Sequence, residues 1–348
     1  MKSSSLACAF LAAILAGCGN KDDAPPPPPS PSPITIGFSM GGVRMERWKK
    51  DEKILIDRAR SMGVQVISLM AAENPDLQND QAENLIVQGV DVLLVLPQDS
   101  EKSARIVEMA HKANVPVIAY DRIILDSPLD YYVTFDNEKV GEYQARGVVD
   151  ALPPDARPAR IAYVGGSPAD NNSVLLKRGS MRVLAPLVDS GAVSIVLETS
   201  TKDWSAQNAY LDFKAFLDAG GRADGVVAAN DATASGVVQA LAECGIQGVP
   251  VSGQDAELTA CQRVARGTQA LTVYKPLAKL GEVAVDLAVR VARGLPVETN
   301  ASIHNRHRDV PSIFLESIPV TRENLADTVV RDGFHSFEDV FGYKPRSP

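Results

Sequence analysis

The chain has 348 residues, a net charge of −8, four cysteines and two tryptophans. An acidic balance with no basic cluster argues against a nucleic-acid partner. The length suits two domains of roughly 150 residues each behind a short leader.

Residues 1–17 read as a signal peptide. Lys2 is the one early charge, and the apolar run Leu6–Gly17 has the length of a signal-peptide core and is too short to span a bilayer. The run ends in Leu15-Ala16-Gly17-Cys18, which resembles a bacterial lipobox. That resemblance implies cleavage before Cys18 and a lipid on its sulfur. Ordinary secretion with Cys18 as a bystander is the alternative, and the small residues leading up to the cysteine favour lipidation. Residues 18–33 then form a proline-rich tether, "GNKDDAPPPPPSPSP" after the cysteine. Proline fixes φ and favours an extended helix rising ~3.1 Å per residue, so the stretch reaches about 45 Å.

From Ile34 onward, strand and amphipathic helix alternate. The expected strands are Ile34–Met40, Val64–Met70, Val90–Leu96, Val115–Tyr120, Tyr131–Phe135, Arg160–Val164, Val193–Thr199, Gly225–Ala229, Val249–Ser252 and Ala270–Tyr274. Several are continuous apolar runs, the signature of parallel strands buried on both faces. A helix is expected over Asn137–Leu152, opening at "FDNEKVGE". Such alternation predicts an α/β fold with two Rossmann-like doubly wound lobes and right-handed crossovers. The turn-rich stretch Asp121–Asp130 suggests a lobe boundary. The expected division is 34–121 with 255–305 in one lobe and 122–254 with 306–348 in the other. The tail from Arg306 reads as irregular.

Ligands of open α/β sheets bind beyond the carboxyl ends of the strands. The residues that follow the strands are Arg47 and Trp48, Asp121 and Arg122, Asp170 and Asn172, Trp204, Asn230 and Asp231, Asp255, and Lys275. Both tryptophans fall in this set, one per lobe, and each could lie on one face of a thin ligand; a buried core anchor is the plainer reading of either alone. Arg47, Arg122 and Lys275 balance Asp121, Asp170 and Asp255. A phosphate or carboxylate site would be richer in cations. A neutral polyol fits, because each hydroxyl both donates and accepts and can bridge a carboxylate to a cation. Asp231 reads as structural, since Asn230-Asp231 opens a helix that one of the pair can cap.

Enzyme signatures are weak. The first strand runs into "GFSMGGVRMERW", which is neither a P-loop nor a dinucleotide-binding glycine motif, and no G-x-S-x-G occurs. His304 and His307 stand three apart without cysteines or clustered acids, so no metal is expected, nor any cofactor. His111 reads as a solvated helix residue. Cys244 and Cys261 could pair in an oxidising compartment or remain two buried thiols.

The stretches "RMERWKKD", "GVDVLLVLPQ", "AYDR", "FDNEKVGE", "GGSPADNN", "ANDATASG", "SGQDAEL", "GTQALTVYKP" and "DTVVRDGFH" resemble periplasmic sugar-binding proteins of the type I fold, in the D-xylose-binding branch that serves ABC transporters. The similarity runs from about Ile34 to about His335. It implies two lobes joined by three crossovers and closing on a monosaccharide, most simply D-xylose. It also implies that Arg47, Trp48, Asp121, Arg122, Asp170, Asn172, Trp204, Asn230, Asp255 and Lys275 bind the sugar. The implied partners are a transporter permease and a possible chemoreceptor, with the protein a monomer held to the membrane only through Cys18. The lipobox and tether depart from relatives that are free in the periplasm, and the flanks of Trp204 are less similar than the rest. Other readings are another pentose or hexose, a sugar sensor feeding a chemoreceptor or kinase, a sugar-responsive repressor and a periplasmic enzyme. A signal peptide stands where a repressor would carry its DNA-binding headpiece, and no pair of carboxylates shows divided acid and base roles.

Overall fold

The computed structural model describes residues 33–42, 46–154 and 156–343. The signal peptide, Cys18 and nearly all of the proline tether lie outside the described residues. The first run of elements is β1 (Thr35–Met40), α1 (Glu46–Ser61), β2 (Gln65–Met70), α2 (Pro75–Val87), β3 (Val92–Leu96), α3 (Ala104–Lys112), β4 (Val117–Tyr120) and β5 (Tyr131–Phe135). The second is α4 (Asn137–Asp150), β6 (Ala159–Gly165), α5 (Asn171–Asp189), β7 (Val193–Ser200), α6 (Ala206–Asp218), β8 (Gly225–Ala228), α7 (Asp231–Glu243), α8 (Leu258–Arg266) and β9 (Thr272–Tyr274). The chain ends with α9 (Leu277–Ala292), β10 (Ala301–His304), β11 (Asp309–Leu315), β12 (Ile318–Val320) and α10 (Phe337–Phe341).

The first sheet runs β2-β1-β3-β4-β5-β11-β10, parallel except for β10. In β3, "VLLVL", every side chain is buried, because the two faces of the strand feed two cores. Val92, Leu94 and Leu96 join the cluster built with α1 and α9, while Leu93 and Val95 join the one built with α2 and α3. The second sheet has β7-β6-β8 at its centre. Parallel bridges Val226–Val251 and Gln254–Val273 extend it to β9, which pairs antiparallel with β12. Both sheets therefore open with the same doubly wound order, 2-1-3-4-5.

The chain passes between the sheets three times, after Phe135, between Tyr274 and Leu277, and between Leu315 and Ile318. These crossings correct the division expected from sequence. The turn-rich stretch 121–130 is an excursion within the first sheet, since β5 pairs with β4 immediately afterwards. Residues 255–274 belong with the second sheet, and α9 packs back on α1. Strand pairing sets a lobe, and turn density does not reveal it. The tail from Arg306 is not irregular either, for it supplies β11 and β12. Pro311 and Pro319 hid them, because a proline donates no ladder hydrogen bond and reads as a breaker. Pro311 sits opposite Ser302 of β10, and the pairing of β11 with β5 begins only at Ser312.

His111 is not merely solvated, since its Nε2 lies 2.8 Å from Asp130 Oδ2, which also accepts the Val117 amide. Cys244 is exposed at the end of α7, and Cys261 is buried in α8 with its Sγ 3.5 Å from the Ala256 carbonyl, so the two form no disulfide. They are neither a disulfide nor two buried thiols. Among the described residues no cluster of potential metal ligands occurs, and no helix is long and apolar enough to cross a membrane.

Candidate functional site

Four of the site residues owe their places to helix starts. Asp170 caps α5 by accepting the Asn172 amide at 2.9 Å. Asn230 caps α7 by accepting the Thr233 amide at 2.9 Å, in a reciprocal capping box with the Thr233 hydroxyl. Arg47 and Trp48 stand in the first turn of α1. Each helix follows a strand of a parallel sheet, so its start lies at the carboxyl edge, where the two sheets face one cleft. Asp121, Trp204 and Asp255 have φ values of 61°, 55° and 89°. Left-handed backbone at non-glycine residues stores strain, and such residues cluster where a side chain must be aimed.

All ten residues singled out from sequence line one narrow cavity, together with Gln254. Arg47 is the hub. Its Nη2 donates to Asp121 Oδ2 at 2.8 Å, its Nη1 to Asp255 Oδ1 at 3.1 Å and its Nε to Asp51 Oδ2 at 3.2 Å. Asp51 also accepts a short hydrogen bond from the Tyr120 hydroxyl. Arg122 Nε lies 2.8 Å from Asp170 Oδ2, which also accepts Trp204 Nε1–H at 3.2 Å. The Asp121 carbonyl gathers three donors: the Tyr132 and Thr134 hydroxyls and the Asn172 amide. Lys275 Nζ donates to Asn137 Oδ1 at 3.1 Å, and Asn137 Nδ2 donates to Asn172 Oδ1 at 3.0 Å.

Burial opposes the charges of Arg47, Asp51, Asp121 and Asp170, and partners decide the outcome. Desolvation works against the Arg47 cation, but Asp121, Asp51 and Asp255 outweigh it and raise its pKa. Burial would lift Asp121, yet Arg47, Lys275 and Arg122 hold it below the usual carboxylate range. Asp170 is raised, because burial exceeds the help from Arg122. Burial pushes Asp51 up to about 6 against the pull of Arg47 and Tyr120.

The tryptophans combine the two roles considered for them. Trp48 is buried in the core cluster with Phe38 and Tyr120. The Arg47 and Arg122 guanidinium carbons stand 4.4 and 5.4 Å from its ring centroid. Trp204 packs with Val140, Leu176 and Leu271. Its ring lies against Gly166, where a Cβ would come within 2.2 Å of the indole, so only glycine fits. Both rings also face the cavity. In the opening loop, a Cβ on Gly41 would meet the Gln98 backbone at 2.5 Å. This glycine permits two chain segments to touch.

Across the cleft mouth, the Ser100 amide donates to the Ala169 carbonyl at 2.9 Å, and Ser100 Oγ accepts the Asn171 amide at 3.2 Å. Arg47–Asp255 and Arg122–Asp170 also join the two lobes. Asp231 plays a part that sequence reading placed only generally. It is fully buried, it accepts from Gln269, Thr272 and the Glu257 amide, and burial raises its pKa to about 7. Sequence reading missed Asp51, Tyr120, Asn137 and Gln254. Asp51 had a signal in its four-residue spacing from Arg47, one helical turn; Gln254 stood beside Asp255.

The family described as periplasmic binding protein domain matches residues 36–296. The D-xylose-binding periplasmic protein of Haemophilus influenzae is 41% identical over 310 residues, covering 88% of this chain and 92% of that protein. Its namesake from Escherichia coli is 41% identical over 304 residues, covering 87% and 91%. An ABC transporter solute-binding protein of Clostridium phytofermentans, solved with bound β-D-glucose, superposes with a TM-score of 0.82 at 26% identity, covering 88% of this chain and 99% of that one. The match over residues 36–296 and relatives 41% identical over most of both chains place the chain in the type I periplasmic sugar-binding family.

Proposed function

We propose that the protein captures a neutral monosaccharide, D-xylose, between its two lobes and hands it to an ABC transporter permease without chemical turnover. The observation that carries this reading is the cleft itself, in which three cations and three carboxylates interleave around one cavity with a tryptophan from each lobe. A hydroxyl can insert between an Arg and an Asp and bond to both, each such bond to a charged group contributing about 1.5–3 kcal/mol. Arg47, Asp121, Arg122, Asp170, Asn172, Asn230, Asp255 and Lys275 serve as the hydroxyl partners, and Trp48 and Trp204 as the faces. Contacts from both lobes form only in the closed state, so ligand shifts the population toward closure. The 41%-identical D-xylose-binding relatives support D-xylose.

The protein works in the periplasm as a monomer, held to a membrane by lipid on Cys18 through the proline tether. Titration calorimetry with D-xylose tests the reading. Trp48→Ala and Asp255→Ala are expected to abolish measurable binding while the fold persists; unchanged affinity in both would remove the site assignment. A glucose-bound structural relative keeps a hexose as the second reading. A thermal-shift panel of aldopentoses and hexoses separates the two, because stabilisation grows with affinity at fixed ligand concentration.

A further inference from the structure

One cavity residue differs from the rest in how its polar atoms are satisfied. Arg47, Asp121, Arg122, Asp170, Asn172, Asp255 and Lys275 all have protein partners, and Asn230 caps α7. Gln254 is 4% exposed and lines the same cavity, yet its Oε1 is buried with no hydrogen-bond partner among the described residues. A buried amide left unpaired is costly, and natural structures rarely keep one without a use.

The backbone around Gln254 is tightly fixed. Its carbonyl accepts the Asp231 amide at 3.0 Å, and the residue bridges to Val273 of β9. Gly253 beside it lies against Asp231, where a Cβ would come within 1.9 Å of the carboxylate. In extended chain, neighbouring side chains point opposite ways. The strand therefore turns Gly253 toward the Asp231 brace and Gln254 toward the cleft.

We propose that the Gln254 side-chain amide hydrogen-bonds one ring hydroxyl of the bound monosaccharide and makes the site select for that hydroxyl. This deepens the sugar-capture reading and rests on it. An amide offers a donor and an acceptor on one plane, so it meets a hydroxyl in either sense. It carries no charge, so it leaves the cation and carboxylate balance of the cleft untouched. A site with a buried polar group that only ligand satisfies rejects an analogue lacking the matching hydroxyl.

Calorimetry with D-xylose and its monodeoxy analogues tests the assignment on the unsubstituted protein, Gln254→Met and Gln254→Asn. Methionine keeps the length and removes the hydrogen bond; asparagine keeps the amide and withdraws it by one carbon. Both variants are expected to bind D-xylose about 10- to 100-fold more weakly, with an unchanged urea midpoint in the absence of sugar. In the methionine variant, the affinity penalty for removing one particular hydroxyl should vanish while the others persist. Equal xylose affinity in Gln254→Met, or full penalties retained at every hydroxyl, would overturn the assignment, as would a loss of binding that only follows a lowered urea midpoint. If the unsubstituted protein binds none of the sugars in the aldopentose and hexose panel, the capture reading falls first and this one with it.

Discussion

The two lobes share a sheet order but bring different chemistry to the cleft. The first supplies Arg47 and Arg122, together with Asp51, Asp121 and Tyr120, and ties Arg47 into a network largely its own. The second supplies Asp170 and Asp255 with the amides of Asn172, Asn230 and Gln254. Its carboxylates reach across to Arg122 and Arg47. Arg47 and Arg122 of the first lobe each pair with a carboxylate of the second, and the three cations and three carboxylates that line the cavity sum to zero, which lets an uncharged, many-hydroxyl ligand share those contacts. The first lobe's cluster should therefore matter to folding, while the second lobe's carboxylates should matter to closure.

The sharpest way to break this contrast is Arg47→Met. It leaves Asp51, Asp121 and Asp255 buried without their cation, so stability should fall by about 3–5 kcal/mol in urea titration. A small loss would mean that the cluster is not the first lobe's keystone. Asp170→Asn comes next. Asparagine caps a helix as well as aspartate does, so α5 should hold. The lost charge should weaken xylose binding about 10- to 100-fold, while the urea midpoint falls less than in Arg47→Met, which strips the cation from three carboxylates instead of one partner from a single pair. A midpoint shift as large as that of Arg47→Met would erase the distinction.

Acidity offers a third test, and the sign depends on the residue. Asp51 and Asp231 have folded pKa values of about 6 and about 7, above the ordinary carboxylate value. The folded state then binds protons that the unfolded chain has released, so their contribution is fully present below about pH 4 and is lost as pH rises through those values. Asp121 behaves oppositely, contributing above about pH 4 and losing that contribution on acidification. Urea midpoints should thus fall between pH 5 and pH 8, and Asp231→Asn should flatten the upper part of the fall. An equal slope in that variant would refute a raised Asp231 pKa. The smallest effect belongs to Ser100→Ala, which removes one hydrogen bond across the cleft mouth. Sugar dissociation measured by stopped-flow fluorescence should quicken about 2- to 10-fold. Slower release would argue against that contact as a clasp.

Much of this molecule was legible from residues alone. β3 announced itself as an unbroken apolar run, because a strand with helices on both faces has no solvent side. The ten cavity residues were legible because the fold delivers strand ends to one cleft, so a local position carries long-range meaning. Asp51 and Tyr120 were not, since they reach the site from inside a helix and a strand, where a polar residue has many other uses. β11 was hidden by Pro311, whose tolerance depends on which neighbour lacks a donor, and that is a property of pairing. The lobe boundary failed for the same reason.

The three crossings have a mechanical consequence. Each is only one or two residues long, and two of them are stapled together, Lys275 of one to Asn137 at the start of α4 beyond another. Three short straps side by side resist shear and stretch, which leaves bending as the one soft degree of freedom. Since Asn137, which holds Lys275, also donates to Asn172 at the cavity wall, a chain of hydrogen bonds runs from the straps to the cavity itself.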